Sequence, residues 1–330
     1  MKKILIIYFV FLAVSMSIYS QPKTSDISTR PAAFSRMGFG ARGIGMGNAM
    51  SAVNTGNLVS YYNPAVSAYQ ENNYFQAGYS FLTLDRSLNF LNFTKKFSFY
   101  SKDGSTIRSS AGLSLGIINS GVSKIDGRDN EGNQSGELST SENQYFLSFA
   151  NRFSERLSIG VAVKFYYYKL YEDIHSSTVG LDIGALYKIS EKFNAAFVIK
   201  DLNSKYKWDT SPIYGQDGSI TTDKFPLLKT FALSYCDKNI GILADAEIEF
   251  SNYSSNIFRI GTEYNIYEGL FLRAGIDNIN LSNKDYPVKP SAGFSYYTKV
   301  AGLYAGVDYA YQIEQYASGS RHIIGLNIIF

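Results

Sequence analysis

From Asn73 to the end of the chain, apolar and polar positions alternate with a period of two residues. In the stretch 303–314, LYAGVDYAYQIE, one set of alternate positions is apolar or aromatic, and the other carries Gly, Asp, Gln and Glu. Successive side chains of a β-strand point to opposite faces of the sheet. The same sorting recurs in 157–167, 240–250 and 270–277. Because a membrane barrel turns its apolar face to lipid and its polar face to the lumen, the pattern predicts barrel strands.

Fourteen such segments can be counted, and an even number is typical of single-chain outer-membrane barrels. Their bounds are about 73–84, 87–99, 107–119, 142–153, 157–170, 176–189, 193–201, 225–236, 240–250, 255–267, 269–280, 288–298, 301–314 and 320–330. The last segment closes on an aromatic residue, Phe330, as outer-membrane barrels commonly do. We therefore predict an all-β fold, a transmembrane antiparallel β-barrel of about 14 strands with an N-terminal plug segment.

The connections between the segments alternate in length. Long ones are expected near 120–141, 202–224 and 281–287, and 85–87 is a short exception on the same side. Tight turns are expected at 154–156, 190–192, 237–239 and 267–268. This asymmetry is typical of barrels with short periplasmic turns and longer outer loops.

The N-terminus has the pattern of an export signal. Lys2 and Lys3 precede an apolar stretch from Ile4 to Val14, and Ser20 is a small residue at the expected cleavage position. The predicted division is a signal peptide at 1–20, a lead-in and N-terminal plug at 21–72, and an outer-membrane β-barrel at 73–330. The expected location is the cell outer membrane.

The plug is predicted from a glycine-rich stretch, 38–65, that contains six glycines and no acidic residue. Glycine at this density indicates close backbone approach or positive φ, and a short helix is expected near 41–52. The candidate plug motif consists of Arg42, Gly43, Gly45, Gly47, Asn63, Pro64 and Ala65. The GFGARG within it does not indicate a dinucleotide site, because no strand precedes it and the next acidic residue is Glu71.

Composition narrows the function classes. Aromatic residues make up 15% of the chain, with 27 Tyr and 23 Phe, while charged residues make up only 18%, unlike a soluble α/β enzyme. A net charge of +3 gives no reason to expect a nucleic-acid partner. Cys236 is the single cysteine, so neither an internal disulfide nor a cysteine metal site is expected.

The chemistry-bearing residues do not suggest an enzyme. His175 and His322 fall near outer strand ends without a matched nucleophile, and no nucleophile-elbow motif or metal-ligand pair is present. The loop 126–132, DGRDNEG, lacks the acidic spacing of a calcium loop and is expected to be a solvated turn. The expectation is no catalytic residue, no metal and no cofactor.

Ten charged residues of the later strands occupy the alternate positions that are predicted to face the lumen. A charged side chain that faced lipid instead would cost several kcal/mol. They are Asp182, Asp245, Glu247, Glu249, Arg259, Glu263, Arg273, Asp277, Asp308 and Arg321. One interpretation is a salt-bridged lumen that holds the plug, with Arg42 pairing to a carboxylate. The other is a polar path or gate for a substrate.

The stretch GARGIGMGNAMSAV…SYYNPA, the tyrosine-rich strands and the C-terminal Phe resemble the FadL-like outer-membrane barrel superfamily. Within it, the chain is most similar to the PorV/PorQ family, which is associated with type IX secretion. The resemblance implies a fourteen-stranded barrel plugged by its N-terminal segment, with the Asn-Pro-Ala motif at Asn63, Pro64 and Ala65 in the plug. The chain departs from the common pattern at Asn48, where a glycine is usual, and at 54–60, NTGNLVS, where an acidic stretch is usual.

Two functional hypotheses follow, and a purely structural barrel is a third interpretation. The first is a PorV/PorQ-like shuttle or docking component for exported proteins or secretion-machine subunits, with 202–224 presenting Tyr206, Trp208, Pro212 and Tyr214 as a docking surface. The alternative is a FadL-like transporter of hydrophobic small molecules, for which inward apolar residues such as Phe271 and Tyr304 leave room. In both cases the protein contacts outer-membrane lipid.

Overall fold

The computed structural model describes residues 26–100, 107–171, 173–300, 302–315 and 317–330. The predicted signal peptide, 1–20, lies outside the described residues. Within the described part of the chain, no helix is long and apolar enough to cross a membrane.

Fourteen antiparallel strands close into a barrel, which confirms the predicted fold class. The barrel strands are β1 (Tyr74–Phe81), β2 (Arg86–Tyr100), β3 (Ile107–Arg128), β4 (Gln134–Arg152), β5 (Leu157–Tyr171), β6 (Ile174–Lys188), β7 (Phe193–Leu202), β10 (Leu228–Asp237), β11 (Ile242–Ser251), β12 (Asn256–Tyr267), β13 (Leu270–Asn280), β14 (Lys289–Val300), β15 (Leu303–Gln312) and β16 (Arg321–Ile329). Each pairs with its neighbour in sequence, except that β7 pairs with β10 and β1 closes on β16.

Side-chain exposure alternates along the strands as the pattern predicts. On β15, Val307 is 51% exposed and its neighbour Asp308 is fully buried. On β13, Leu272 is exposed and Arg273 is buried. The apolar exterior is the face that a barrel of this kind turns to lipid.

Two of the long loops predicted from the sequence contain strands instead. The prediction of a loop at 120–141 is wrong, because β3 and β4 continue as a hairpin that ends at a turn around Asp129–Asn133. Their exposed extensions carry polar side chains on both faces, and this hides the alternation that marks a strand. The segment 202–224 forms a separate two-stranded sheet of β8 (Lys205–Asp209) and β9 (Ile220–Lys224). The short helix α2 (Ser211–Tyr214) lies between these two strands.

The barrel has two different ends. At one end, which we call the turn end, connections are short, as at 268–269 between β12 and β13. At the other, which we call the loop end, lie the β8–β9 hairpin and the connections 281–288 and 313–320.

Residues 26–72, which we call the N-terminal segment, run from the loop end to the turn end inside the ring of strands. The segment contains 3-10 helices at Asp26–Thr29, Ala33–Arg36 and Pro64–Tyr69 and the helix α1 (Gly40–Gly45). Near its start, the guanidinium of Arg30 lies 3.9 Å above the ring of Tyr253 in the β11–β12 connection. Helix α1 contacts β13–β16 and β1, whereas the Pro64–Tyr69 helix contacts β2–β6.

Helix α1 is shorter than the predicted 41–52. Gly47 and Asn48 both have positive φ, 61° and 60°, so the helix cannot continue through them. The chain turns back there instead, and Asn48 donates its backbone N–H to the Gly43 carbonyl at 2.7 Å.

Candidate functional site: the N-terminal segment against the barrel wall

Gly45 and Gly47 of the predicted plug motif lie against the wall, whereas Gly43 packs against Tyr62 of the N-terminal segment itself. A Cβ atom on Gly47 would lie 2.6 Å from the backbone nitrogen of Ile276. At Gly43 it would collide with the hydroxyl of Tyr62. Gly45 faces Gly293 and Ala310 at ordinary contact distance. A larger side chain at Gly47 would therefore push the segment away from the wall.

Arg42 joins the N-terminal segment to the wall through a carboxylate on β12. Its Nε and Nη2 donate to Glu263 Oε2 and Oε1 at 2.9 and 2.8 Å, and Nη1 donates to the carbonyls of Thr55 and Asn57. Arg273 donates to the same Glu263 at 2.6 Å.

Beyond Glu263, the network continues across the wall. Arg273 donates to the Ser295 hydroxyl, which donates to Asp308. One guanidinium from the segment and one from the wall are therefore matched by two carboxylates, so this buried group is neutral overall.

A second charged group surrounds Arg259. Its three nitrogens donate to Glu247, Glu249 and Asp277 at 2.7–3.0 Å. Asp277 also accepts from the side-chain amide of Asn48 at 2.8 Å, which ties the end of α1 to this group. Asn48 stands where the resemblance described above would place a glycine, and it makes a contact that glycine could not make.

A third charged group lies where β7 departs from regular pairing. Lys164 contacts Asp182 at 2.7 Å and Asp201 at 3.3 Å, and the hydroxyl of Tyr166 donates to Asp201 at 2.6 Å. Asp201 has a φ of 61°, and its backbone N–H donates to Asp182 at 2.9 Å instead of to a strand carbonyl. Lys164 could have been identified from the sequence, because it alternates with outward-facing valines. Asp201 could not, because the bulge shifts it out of the alternation between inward and outward positions.

The Asn63-Pro64-Ala65 motif turns the segment at the other side of the lumen. The Asn63 side-chain oxygen accepts the N–H of Ala65 at 2.9 Å, and its amide donates to the Ser51 carbonyl at 2.8 Å. The backbone of Pro64 lies so close to Gly160 on β5 that a Cβ there would come within 2.5 Å of it. The motif thus caps a 3-10 helix and seats it on the wall.

All ten inward charges predicted from the sequence are buried in the structure. Nine belong to the three groups above or touch the N-terminal segment nearby, as Asp245 does by accepting the N–H of Ala52. The tenth, Arg321, contacts the segment as well, but toward the loop end, where it donates to Ser80 of the wall and to the Met37 carbonyl of the segment. What these contacts do for function stays a prediction.

The spaces left around the N-terminal segment differ in character. A polar hole of about 30 Å³ lies between Arg36, Lys164 and Arg259, with room for about one water molecule. A cleft of about 590 Å³ at the loop end borders Leu84 and Lys289. A cavity of about 290 Å³ opens at the turn end.

The β8–β9 hairpin packs its aromatic side chains onto the loop end. Tyr206 is fully buried and Trp208 is 8% exposed. Trp208 packs edge to face on Tyr168, and Tyr206 contacts both Tyr168 and Phe225. The prediction that Tyr206 and Trp208 present a docking surface is therefore wrong, since both face the barrel. Tyr214 remains 63% exposed.

In the described part of the chain, no group of three or more His, Cys, Asp and Glu side chains is arranged to hold a metal ion. His322 faces outward and lies 2.7 Å from the Tyr309 hydroxyl, away from the lumen.

Comparison by sequence returns no matching protein family and no matching curated protein. Solved structures nevertheless share the fold. The CymD monoaromatic hydrocarbon channel superimposes with a TM-score of 0.62 at 14% identity, over 89% of this chain and 97% of that chain. A Pseudomonas aeruginosa FadL homologue gives 0.57 at 10%, over 88% and 98%. The Ralstonia pickettii toluene transporter TbuX gives 0.57 at 12%, over 88% and 97%.

These likenesses concern the fold alone, and the fold they share with this chain is the closed barrel. They lend no support to the narrower resemblance to the PorV/PorQ family.

Proposed function

We propose that this protein is an outer-membrane transporter that admits small hydrophobic molecules, with the N-terminal segment acting as its gate. The observation that carries the proposal is a FadL-like closed barrel whose lumen is occupied by its own N-terminal segment. The printed names of the similar structures concern monoaromatic hydrocarbons and toluene, and we extend this substrate class to the present chain.

The charged groups of the lumen support a gate better than a path for ions. Arg42, Arg259 and Lys164 each contact at least one buried carboxylate, so their charges are compensated within the protein. The Arg42–Glu263 ion pair and the hydrogen bond from Asn48 to Asp277 hold the segment in place, and breaking both together would release it. We also propose that the protein has no enzymatic activity, in keeping with the sparse set of chemistry-bearing residues.

The proposal is tested by uptake of radiolabelled toluene into cells that carry the protein in their outer membrane. We expect faster uptake than in cells with the empty vector. Liposomes containing the purified barrel should not swell in arabinose, because a sugar needs an open aqueous pore. Toluene uptake equal to the vector control, with the barrel shown to be folded by heat-modifiable gel migration, would refute the proposal.

A second candidate is the docking role implied by the PorV/PorQ resemblance. One observation favours it: Ile213, Tyr214 and Ile220 expose apolar surface on the hairpin at the loop end. A detergent pull-down from native membranes followed by mass spectrometry separates the two candidates. Exported proteins or secretion subunits in the eluate would favour docking, and apolar small molecules without protein partners would favour transport.

A further inference from the structure

The cavity at the turn end has an aromatic wall that faces the lumen. Tyr74 on β1, Phe271 on β13, Tyr297 on β14 and Ile329 on β16 line it, and exposed Glu71 lies at its rim. These wall residues occupy inward positions, in line with the buried polar residues of the same strands. They are therefore separate from the outward aromatic residues that a barrel places at the membrane interface.

One step deeper on each of these strands, the inward residue is polar. The four residues are Gln76, Arg273, Ser295 and Asn327, and all are buried. The aromatic wall is thus a single layer of residues at the turn-end mouth of the barrel, and the lumen beyond it is polar. Phe271 and Tyr297 pack edge to face, with ring centroids 6.0 Å apart. Because both are only partly buried, they leave apolar surface facing the cavity.

The charged groups beside the cavity are balanced. Arg42 and Arg273 share Glu263, and Asp308 balances the second guanidinium through Ser295. Glu71 at the rim adds a negative charge. An anionic ligand would therefore meet no uncompensated cation here, and an uncharged ligand fits better.

The wall also offers a hydrogen-bond donor. The hydroxyl oxygens of Tyr74 and Tyr297 lie 3.0 Å apart. Two hydroxyls carry two hydrogens, and the bond between them uses one. The second is available to an acceptor atom in the cavity.

We propose that this cavity binds an uncharged monocyclic aromatic alcohol or phenol, with its ring against Phe271 and its oxygen accepting from the tyrosine pair. A cavity of about 150 Å³ can hold benzene, so about 290 Å³ has room for a substituted ring. The inference rests on the proposed transport function, to which it adds an exit site at the turn end. A ligand there would touch Arg42 and Glu263, the contact that holds the N-terminal segment.

The test uses full-length protein in amphipol and two matched probes, 4-fluorobenzyl alcohol and 4-fluorobenzoate, followed by fluorine NMR. We expect the alcohol to bind at least tenfold more tightly than the benzoate. Phe271→Ala should weaken the alcohol about tenfold, and Tyr297→Phe about fivefold through loss of one hydrogen bond. The outward neighbours supply matched controls, since Leu272→Ala and Tyr296→Phe should leave binding unchanged.

Equal binding of the two probes, no binding of the alcohol, or undiminished binding by Phe271→Ala would overturn the exit site. Heat-modifiable migration shows whether each variant is folded. Toluene uptake separates this inference from the proposed function. If uptake is normal while the alcohol does not bind, the exit site fails and the transport function stands; if the vector control takes up toluene equally fast, the transport function fails.

Discussion

At the scale of single residues, Glu263 makes the contact that most directly ties the N-terminal segment to the wall. It accepts from Arg42 of the segment and from Arg273 of the neighbouring strand, and all three are buried. Removing one member of such a group leaves a buried charge without its partner, which costs more than the intact group contributes. The three side chains of such a group therefore stabilise the attachment of the segment only when all of them are present.

We expect Glu263→Gln to lower the free energy of unfolding by about 3–5 kcal/mol, because two guanidiniums lose their carboxylate. Urea unfolding of the barrel in detergent micelles measures this. Glu268→Gln, the same change in the exposed turn that directly follows β12, is the control and should be nearly neutral. Equal stability of the two variants would contradict the role of Glu263 in holding the N-terminal segment to the wall.

At the scale of elements, the alternation of apolar and polar side chains along each strand follows from one face meeting lipid and the other meeting the lumen. The alternation in β15 places Val307 outward and Asp308 inward, and the same sorting holds in β13. A charge on the outward face has no partner in lipid, whereas one on the inward face finds the networks of the lumen. Strands that extend beyond the membrane do not need an apolar outer face, and the extensions of β3 and β4 accordingly carry polar side chains.

Val307→Arg tests the facing of the strands. We expect it to destabilise the barrel by about 2–4 kcal/mol, as a cation near the middle of the lipid face does. Refolding yield into lipid vesicles and urea titration provide the measurement. Thr221→Arg, at an exposed site of the β8–β9 hairpin, introduces the same side chain outside the wall and should have little effect. Comparable losses in both variants would show that Val307 does not face lipid.

At the scale of the whole molecule, the N-terminal segment and the barrel form one packed unit. The segment contacts strands on opposite sides of the lumen, through α1 on one side and the Pro64–Tyr69 helix on the other. Transport through the lumen therefore requires part of the segment to move. A covalent tether between the segment and the wall distinguishes movement from a fixed arrangement.

Gly45 and Ala310 offer a site for that tether. A Cβ on Gly45 would lie 3.7 Å from the Cβ of Ala310, close to the separation found in disulfides. In a Cys236→Ser background, we expect oxidised Gly45→Cys/Ala310→Cys protein to lose toluene uptake and reduced protein to regain it. Cys236→Ser alone should transport in both states. Full uptake by the oxidised protein would show that α1 stays in place during transport.

The number of barrel strands, the direction each face points and the inward charges could all be predicted from the sequence. Alternation is a local pattern, and the contrast between lipid and lumen enforces it. It also indicated Arg42 as a partner for a lumen carboxylate. It could not name that partner, since 221 positions separate Arg42 from Glu263. Only strand register and closure bring them together.

The remaining features depend on contacts between distant parts of the chain. Asp201 joins Lys164 because a bulge with positive φ breaks the alternation, and α1 ends early because Gly47 and Asn48 turn the chain. Tyr206 and Trp208 face the barrel because a polar loop folds into a hairpin over its mouth. These outcomes depend on packing between distant segments, and a period-two pattern carries no information about packing of that kind.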